Sequence, residues 1–299
     1  MRNRIFLILI LFLMSSLAVY AEDKTEVWKR LNDDLVKLFH QGDLKGAQTA
    51  AEKTLEYAEK NFGPDSGQTA AALNNLALIY KRLGEYDKAL ILYQNSLKTM
   101  QHAFGRKQLA VAITLDNIAE LLKIQGDYRQ AEEYYRKVLS IRRKSLKADD
   151  PKIALALNNL AGLYVAKQDF TKAAELYLNA LEIYSKSMSS NRLAVAQTLN
   201  NLAAVYENGQ KYPEAEKLYA KAFEIWQSIP ENKDNLDYAK LINNFAMLKY
   251  KQGLYDESEK LLTQASSIAE MLVHSDHPDR IKISENLKCC RDKITSEEK

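Results

Sequence analysis

Apolar residues recur along most of this chain at intervals of three and four, the spacing that gathers them on one face of an α-helix. Leu73, Leu76, Ala77 and Tyr80 make one such stripe, and Ala89, Tyr93 and Leu97 make the next. Gly84 stands between them and suits the left-handed conformation that ends a helix. The predicted unit is therefore helix A, a tight turn and helix B. The unit then returns. Leu73-Asn74-Asn75-Leu76-Ala77 reappears as Leu115-Asp116-Asn117-Ile118-Ala119, as Leu157-Asn158-Asn159-Leu160-Ala161, as Leu199-Asn200-Asn201-Leu202-Ala203 and as Ile242-Asn243-Asn244-Phe245-Ala246. The second Asn recurs at spacings of 42, 42, 42 and 43 residues. Self-similarity at such a period marks a stacked array.

Each copy continues alike: Tyr80, Gly84, Tyr86, Ala89, Tyr93 and Leu97 in the first, and Leu122, Gly126, Tyr128, Ala131, Tyr135 and Leu139 in the second. The third and fourth carry Tyr164, Phe170, Ala173, Tyr177 and Tyr206, Tyr212, Ala215, Tyr219; the fifth is looser, with Gly253, Tyr255, Ser258 and Leu262. This order of large, small, aromatic and glycine positions resembles the tetratricopeptide repeat (TPR). The 42-residue period, the Leu-Asn-Asn-Leu-Ala start and linkers such as Asp150-Pro151 and Asp276-His277-Pro278-Asp279 resemble the kinesin light chain subtype. The resemblance implies an all-α TPR solenoid, a right-handed superhelix of helix–turn–helix repeats. Its A helices would line a concave groove that holds peptides or partner segments. Two copies depart at the turn: Gln168 replaces the glycine in the third, and Gln210, preceded by Asn208-Gly209, does so in the fourth. A slightly altered turn is expected in the third copy, and Gly209 is expected to serve the turn of the fourth.

The repeats occupy 69–102, 111–144, 153–186, 195–228 and 238–271. A degenerate hairpin at 22–62 precedes them, keeping Trp28, Leu31, Leu35 and Leu38, and a lone capping helix at 278–294 follows, with 295–299 a polar tail. End units differ because one of their faces meets water.

The first residues follow another pattern. Arg2 and Arg4 precede an apolar run from Ile5 to Met14, and Val19-Tyr20-Ala21 places small residues at a cleavage site before Glu22. This is the form of a signal peptide spanning 1–21. The run is short for a membrane span of about 20 residues. The expected address is periplasmic or secreted, with membrane attachment only if the segment is retained.

Composition narrows the function classes. Ten Gly and five Pro in 299 residues are too few for a turn-rich β-fold. The net charge of +3 falls to +1 once Arg2 and Arg4 are removed, which leaves no basic stripe for nucleic acid. Cys289 and Cys290 are adjacent on the last helix, where a mutual disulfide is incompatible with regular helix. They are expected reduced and partly buried, with an intermolecular disulfide as the alternative. His274 and His277 have metal-like spacing, but His277 sits in the linker pattern. No phosphate loop, nucleophile elbow or HExxH is present. No enzyme, cofactor or metal is therefore expected.

What chemistry there is belongs to helix A. Eleven of the seventeen tyrosines fall at repeat packing positions and read as core rings. The ladder Asn75, Asn117, Asn159, Asn201 and Asn244 falls on the expected groove face. A carboxamide offers donors and an acceptor to an extended peptide, and equally to a neighbouring helix, whose angle it would lock. Three residues on stand Leu78, Glu120, Gly162, Ala204 and Met247, with Leu155 and Val165 beside the small central pair. Lys81, Arg82, Glu120, Gly162 and Lys240 join the ladder as candidate peptide contacts. Their mixed charge suits a mixed-charge peptide with one apolar anchor. The alternative is an assembly or spacer role through convex faces or end caps, which exposed apolar residues outside the packing positions would favour.

Overall fold

The structure is a computed structural model that describes residues 23–105, 109–186, 190–229, 235–275 and 277–297. The signal-peptide reading of 1–21 lies outside these residues. Thirteen helices and no strand are found among the described residues, and the chain is an all-α TPR solenoid. They divide into two units, residues 1–121 and 122–299.

The first unit holds the degenerate hairpin α1 (Lys24–His40) and α2 (Leu44–Phe62), then α3 (Gly67–Arg82) and α4 (Tyr86–Phe104), and most of α5 (Leu109–Ile124). Each hairpin closes on itself, and α2 packs on α3. Leu35 of α1, Ala47 and Ala51 of α2, and Leu76 and Ile79 of α3 form the first core cluster.

The second unit runs through α6 (Tyr128–Ser145), α7 (Pro151–Ala166), α8 (Phe170–Ser185), α9 (Arg192–Asn208), α10 (Tyr212–Gln227), α11 (Leu236–Lys251), α12 (Tyr255–Leu272) and α13 (Pro278–Glu297). A helices α7, α9 and α11 each meet the next A helix (α9, α11 and α13 in turn) as well as the intervening B helix. They therefore form one layer and present one face. Fully buried alanines (Ala173, Ala215, Ala203, Ala246) let the layers approach, and Tyr177, Tyr219 and Trp226 fill the wider gaps. Of the eleven tyrosines expected as core rings, Tyr93, Tyr135, Tyr164, Tyr177 and Tyr219 are buried, Tyr80, Tyr128, Tyr206, Tyr212 and Tyr255 are half-buried, and Tyr86 is 37% exposed.

The turns are more uniform than expected. After α3, Gly84 N–H donates to Lys81 O and Glu85 N–H to Tyr80 O; after α7, Gln168 N–H donates to Val165 O and Asp169 N–H to Tyr164 O. Gln168 has φ 60° and Gln210 φ 58°, against 80° for Gly84. The third turn thus keeps the repeat's geometry, and Gln210, not Gly209 at φ −81°, is the left-handed residue of the fourth. Holding a side chain in that region costs roughly 1–2 kcal/mol, which the packed helices on either side absorb.

Linkers cap the helices they precede. Asp150 accepts from Lys152 N–H at 2.8 Å with Pro151 at the first turn of α7. His277 Nδ1 accepts from Asp279 N–H at 3.2 Å at the start of α13. That final helix continues through Glu297, into the stretch expected to be a tail. Its Cys290 is buried with Sγ 3.4 Å from Tyr255 O, while Cys289 is exposed, so the two cysteines part in burial.

Candidate functional site

The A helices place the asparagine ladder with consistent geometry. Asn75 Nδ2 donates to Asn32 Oδ1 at 3.1 Å and Asn117 Nδ2 to Asn74 Oδ1 at 2.9 Å in the first unit. In the second, Asn244 Nδ2 donates to Asn200 Oδ1 at 3.2 Å and Asn286 Nδ2 to Asn243 Oδ1 at 2.8 Å. The second Asn of one copy thus donates to the first-Asn position of the copy before it. Asn32 and Asn286 extend the series into both end units. These amides tie A helix to A helix.

The fourth copy departs from the rule. Asn158 Nδ2 turns to Thr198 Oγ1 at 2.6 Å, and Asn201 is exposed. Asn201 Oδ1 accepts from Asn200 Nδ2 at 3.4 Å, and its own Nδ2 donors have no partner among the described residues. Asn159 is half-buried on α7 and is itself engaged.

Around Asn201 the second unit forms a cavity of about 390 Å³ on the A-helix face. Helix α9 contributes Gln197, Asn200 and Asn201; α11 contributes Asp237, Lys240 and Asn244; α13 contributes Asp279 and Lys282. Trp226, Leu241 and Ile283 line the apolar base. Lys240 Nζ lies 2.9 Å from Asp237 and 3.7 Å from Asp279. Partial burial works against its charge, but the two carboxylates prevail and its pKa stands above that of an ordinary lysine. Gln197 Nε2 donates to the other oxygen of Asp237 at 2.9 Å. Lys282 is exposed with no partner among the described residues, so the cavity has one uncommitted cation.

Of the residues expected from the sequence, Asn201, Asn244 and Lys240 come together here. Gln197, Asn200, Asp237 and Lys282 were missed. Leu155, Gln197, Lys240 and Lys282 occupy one repeat position, four residues before the ladder Asn, and that register could have found the pair Gln197 and Lys282. Along the unit this position runs from apolar to cationic.

Expected contacts in the first unit largely satisfy one another. Lys81 Nζ meets Glu120 Oε2 at 2.6 Å, with the lysine side chain only 10% exposed. Arg82 is exposed and lies over the Phe39 ring, 5.5 Å from its centroid. Gly162, in the second unit, is half-buried on α7.

Similarity to known proteins agrees with the repeat geometry. The tetratricopeptide repeat family model matches residues 38–102, 68–144, 152–228 and 194–271. No curated protein matches. Among solved structures, BtubC (BKLC) from P. vanneervenii is similar at TM-score 0.64 and 22% identity, over 79% of this chain and 94% of that one. A putative kinesin light chain with nearly identical TPR-like repeats from Podosopora anserina gives 0.55 and 19%, over 71% and 99%. The apo quorum sensor NprR from B. thuringiensis gives 0.65 and 16%, over 96% and 75%. At these identities the likeness concerns the fold. With four matches, overlapping in two pairs and together spanning most of its length, the chain belongs to the tetratricopeptide repeat family.

Proposed function

We propose that this protein is a non-enzymatic interaction scaffold that holds an extended peptide or partner segment against its A helices, outside the cytoplasm. The observation that carries the reading is the cavity around Asn201, where an exposed carboxamide keeps its donors open beside Lys282. Exposed Leu155 supplies an apolar contact at one end of the second unit's A face, and Lys282 attracts an acidic group at the other. A mixed-charge peptide with one apolar anchor fits this order. The family's repeat fold is consistent with a protein–protein interaction scaffold.

Export rests on residues 2–21. Secretion of the chain in its host should yield a mature N-terminus at Glu22 by N-terminal sequencing; an intact N-terminus on protein recovered from the cytoplasmic fraction would withdraw the address. No described helix is long and apolar enough to cross a membrane. The B helices expose Tyr86, Ile91 and Phe104 on α4, Leu178 on α8, and Met271 and Leu272 in the last turn of α12; on α4 the three are five and thirteen residues apart, not at the spacing of one continuous apolar patch. The A face, where the cavity lies, is the favoured side. Affinity capture from the extracytoplasmic fraction tests it: Asn201→Ala together with Lys282→Glu should abolish recovery of the partner while the helical circular dichroism stays unchanged. Undiminished recovery would remove the cavity from the site.

A further inference from the structure

The B helices carry a tyrosine at one repeat position: Tyr93 in the first unit, and Tyr135, Tyr177 and Tyr219 in the second, all buried. Their hydroxyls are treated differently. Tyr219 donates to Glu207 Oε2 at 2.9 Å, and the Tyr93 hydroxyl is sealed without a partner. Tyr177 is 3% exposed, and its hydroxyl has no hydrogen-bond partner among the described residues. Burial alone raises its pKa to about 12, with no neighbouring group contributing.

Above this hydroxyl lies Gly162. A Cβ placed there would stand 3.8 Å from Tyr177 Oη and 3.9 Å from Lys123 Nζ, with nothing else within 4 Å. Both distances are ordinary contacts, so the fold does not require glycine at this point of α7. A mid-helix glycine nevertheless weakens its helix. The missing side chain leaves a notch on the A face, flanked by a phenol and an ammonium. The fourth copy has Ala204 at this position and the fifth Met247.

We infer that the notch is a binding site for a main-chain carbonyl of an extended peptide, which lies over Gly162 and accepts a hydrogen bond from Tyr177 Oη. The two groups flanking the notch can both donate, and an ammonium cannot accept, so the complementary ligand atom is an acceptor. The missing Cβ lets a backbone approach where a side chain would hold it off. Leu155, two turns earlier on α7 and 45% exposed, lies on the same helix face and receives an apolar side chain of the same peptide. This inference rests on the A-face reading above and adds the point at which the ligand backbone is held.

The test selects linear peptides from a displayed random library against the full chain, then titrates a selected peptide into variants. Tyr177→Phe should weaken binding about five- to tenfold, the loss of one hydrogen bond. Gly162→Ala should weaken it at least about tenfold by filling the notch. Both should melt at or above the wild-type temperature, since neither loses an internal bond. Tyr219→Phe should leave affinity unchanged. In protein labelled at the tyrosine ring carbon bearing oxygen, the resonance absent from Tyr177→Phe should shift on peptide addition. If Asn201→Ala weakens binding but both notch variants bind as wild type does, the notch is overturned and the A-face reading stands. If no selected peptide binds, or none of the three variants changes affinity, both fall.

Discussion

An asparagine repeated at one place in every copy can hold the array together or hold a ligand, and its amide partners distinguish the roles. Asn117 and Asn244 each donate across to the preceding A helix. Replacing either by Ala removes that bond and strands a half-buried carbonyl, which should cost about 1–2 kcal/mol. Asn201 is exposed and makes a single long contact, so Asn201→Ala should stay within about 0.5 kcal/mol of wild type. Urea melts followed by circular dichroism would check both, and equal losses would refute the division. Gly162→Ala should raise stability by about 1 kcal/mol, because the Cβ meets no crowding and the helix gains propensity. A loss of stability in the same melt would mean that the fold itself needs the glycine.

At the scale of helices and turns, carboxylates on B helices anchor the end of the next A helix. Glu132 on α6 accepts from Tyr164 Oη at 2.7 Å and pairs with Lys167 at 2.7 Å, both at the end of α7 or just past it. Glu216, at the same repeat position on α10, pairs with Lys249 at 2.7 Å and accepts from Gln252 at 2.9 Å. The Lys167 bond, helped by Tyr164 and Arg136, lowers the Glu132 pKa from 4.5 to about 2. A carboxyl depressed on folding stabilises fully above its unfolded pKa and loses that contribution as pH falls through the folded value. The melting temperature should therefore drop between about pH 4.5 and 2, and Glu132→Gln should lower it at pH 7 while flattening that decline. An unchanged pH profile in the variant would exclude Glu132 as a source. The helices and the glycine turns were legible in the sequence because each landmark repeats at helical spacing, whereas the turns at Gln168 and Gln210 keep the pattern's hydrogen bonds without the glycine that marks it. The clamps were not legible, because a Glu reaches a Lys thirty-five residues away only once the hairpins have stacked. The site divides in the same way. Asn201, Asn244 and Lys240 share a face by register alone, whereas the open Tyr177 hydroxyl depends on a side chain missing from the facing helix.

Across the whole molecule, stacked repeats bury surface only against their neighbours, so stability is set locally and the ends need covers. In the second unit α13 is the cover. Its Leu287 and Cys290 join Ala246 of α11 and Leu262 of α12 in one cluster, with Met247, Tyr250 and Tyr255 packed around it. In the first unit α1 is the outermost helix among the described residues, and Leu35 is its one buried residue, against seven on α3. Hydrogen exchange should follow these differences, with amides of α1 opening far more readily than those of α3. Leu287→Ala removes most of a 9%-exposed side chain from the terminal cluster and should cost about 2–3 kcal/mol there, near the low end for buried leucines because water can reach the site. Exchange should accelerate in α11, α12 and α13, while α7 and α8, two repeats away, keep their wild-type rates. Equal acceleration through α7 would show that the second unit opens as one cooperative block, and the nearest-neighbour account of its stability would then fail.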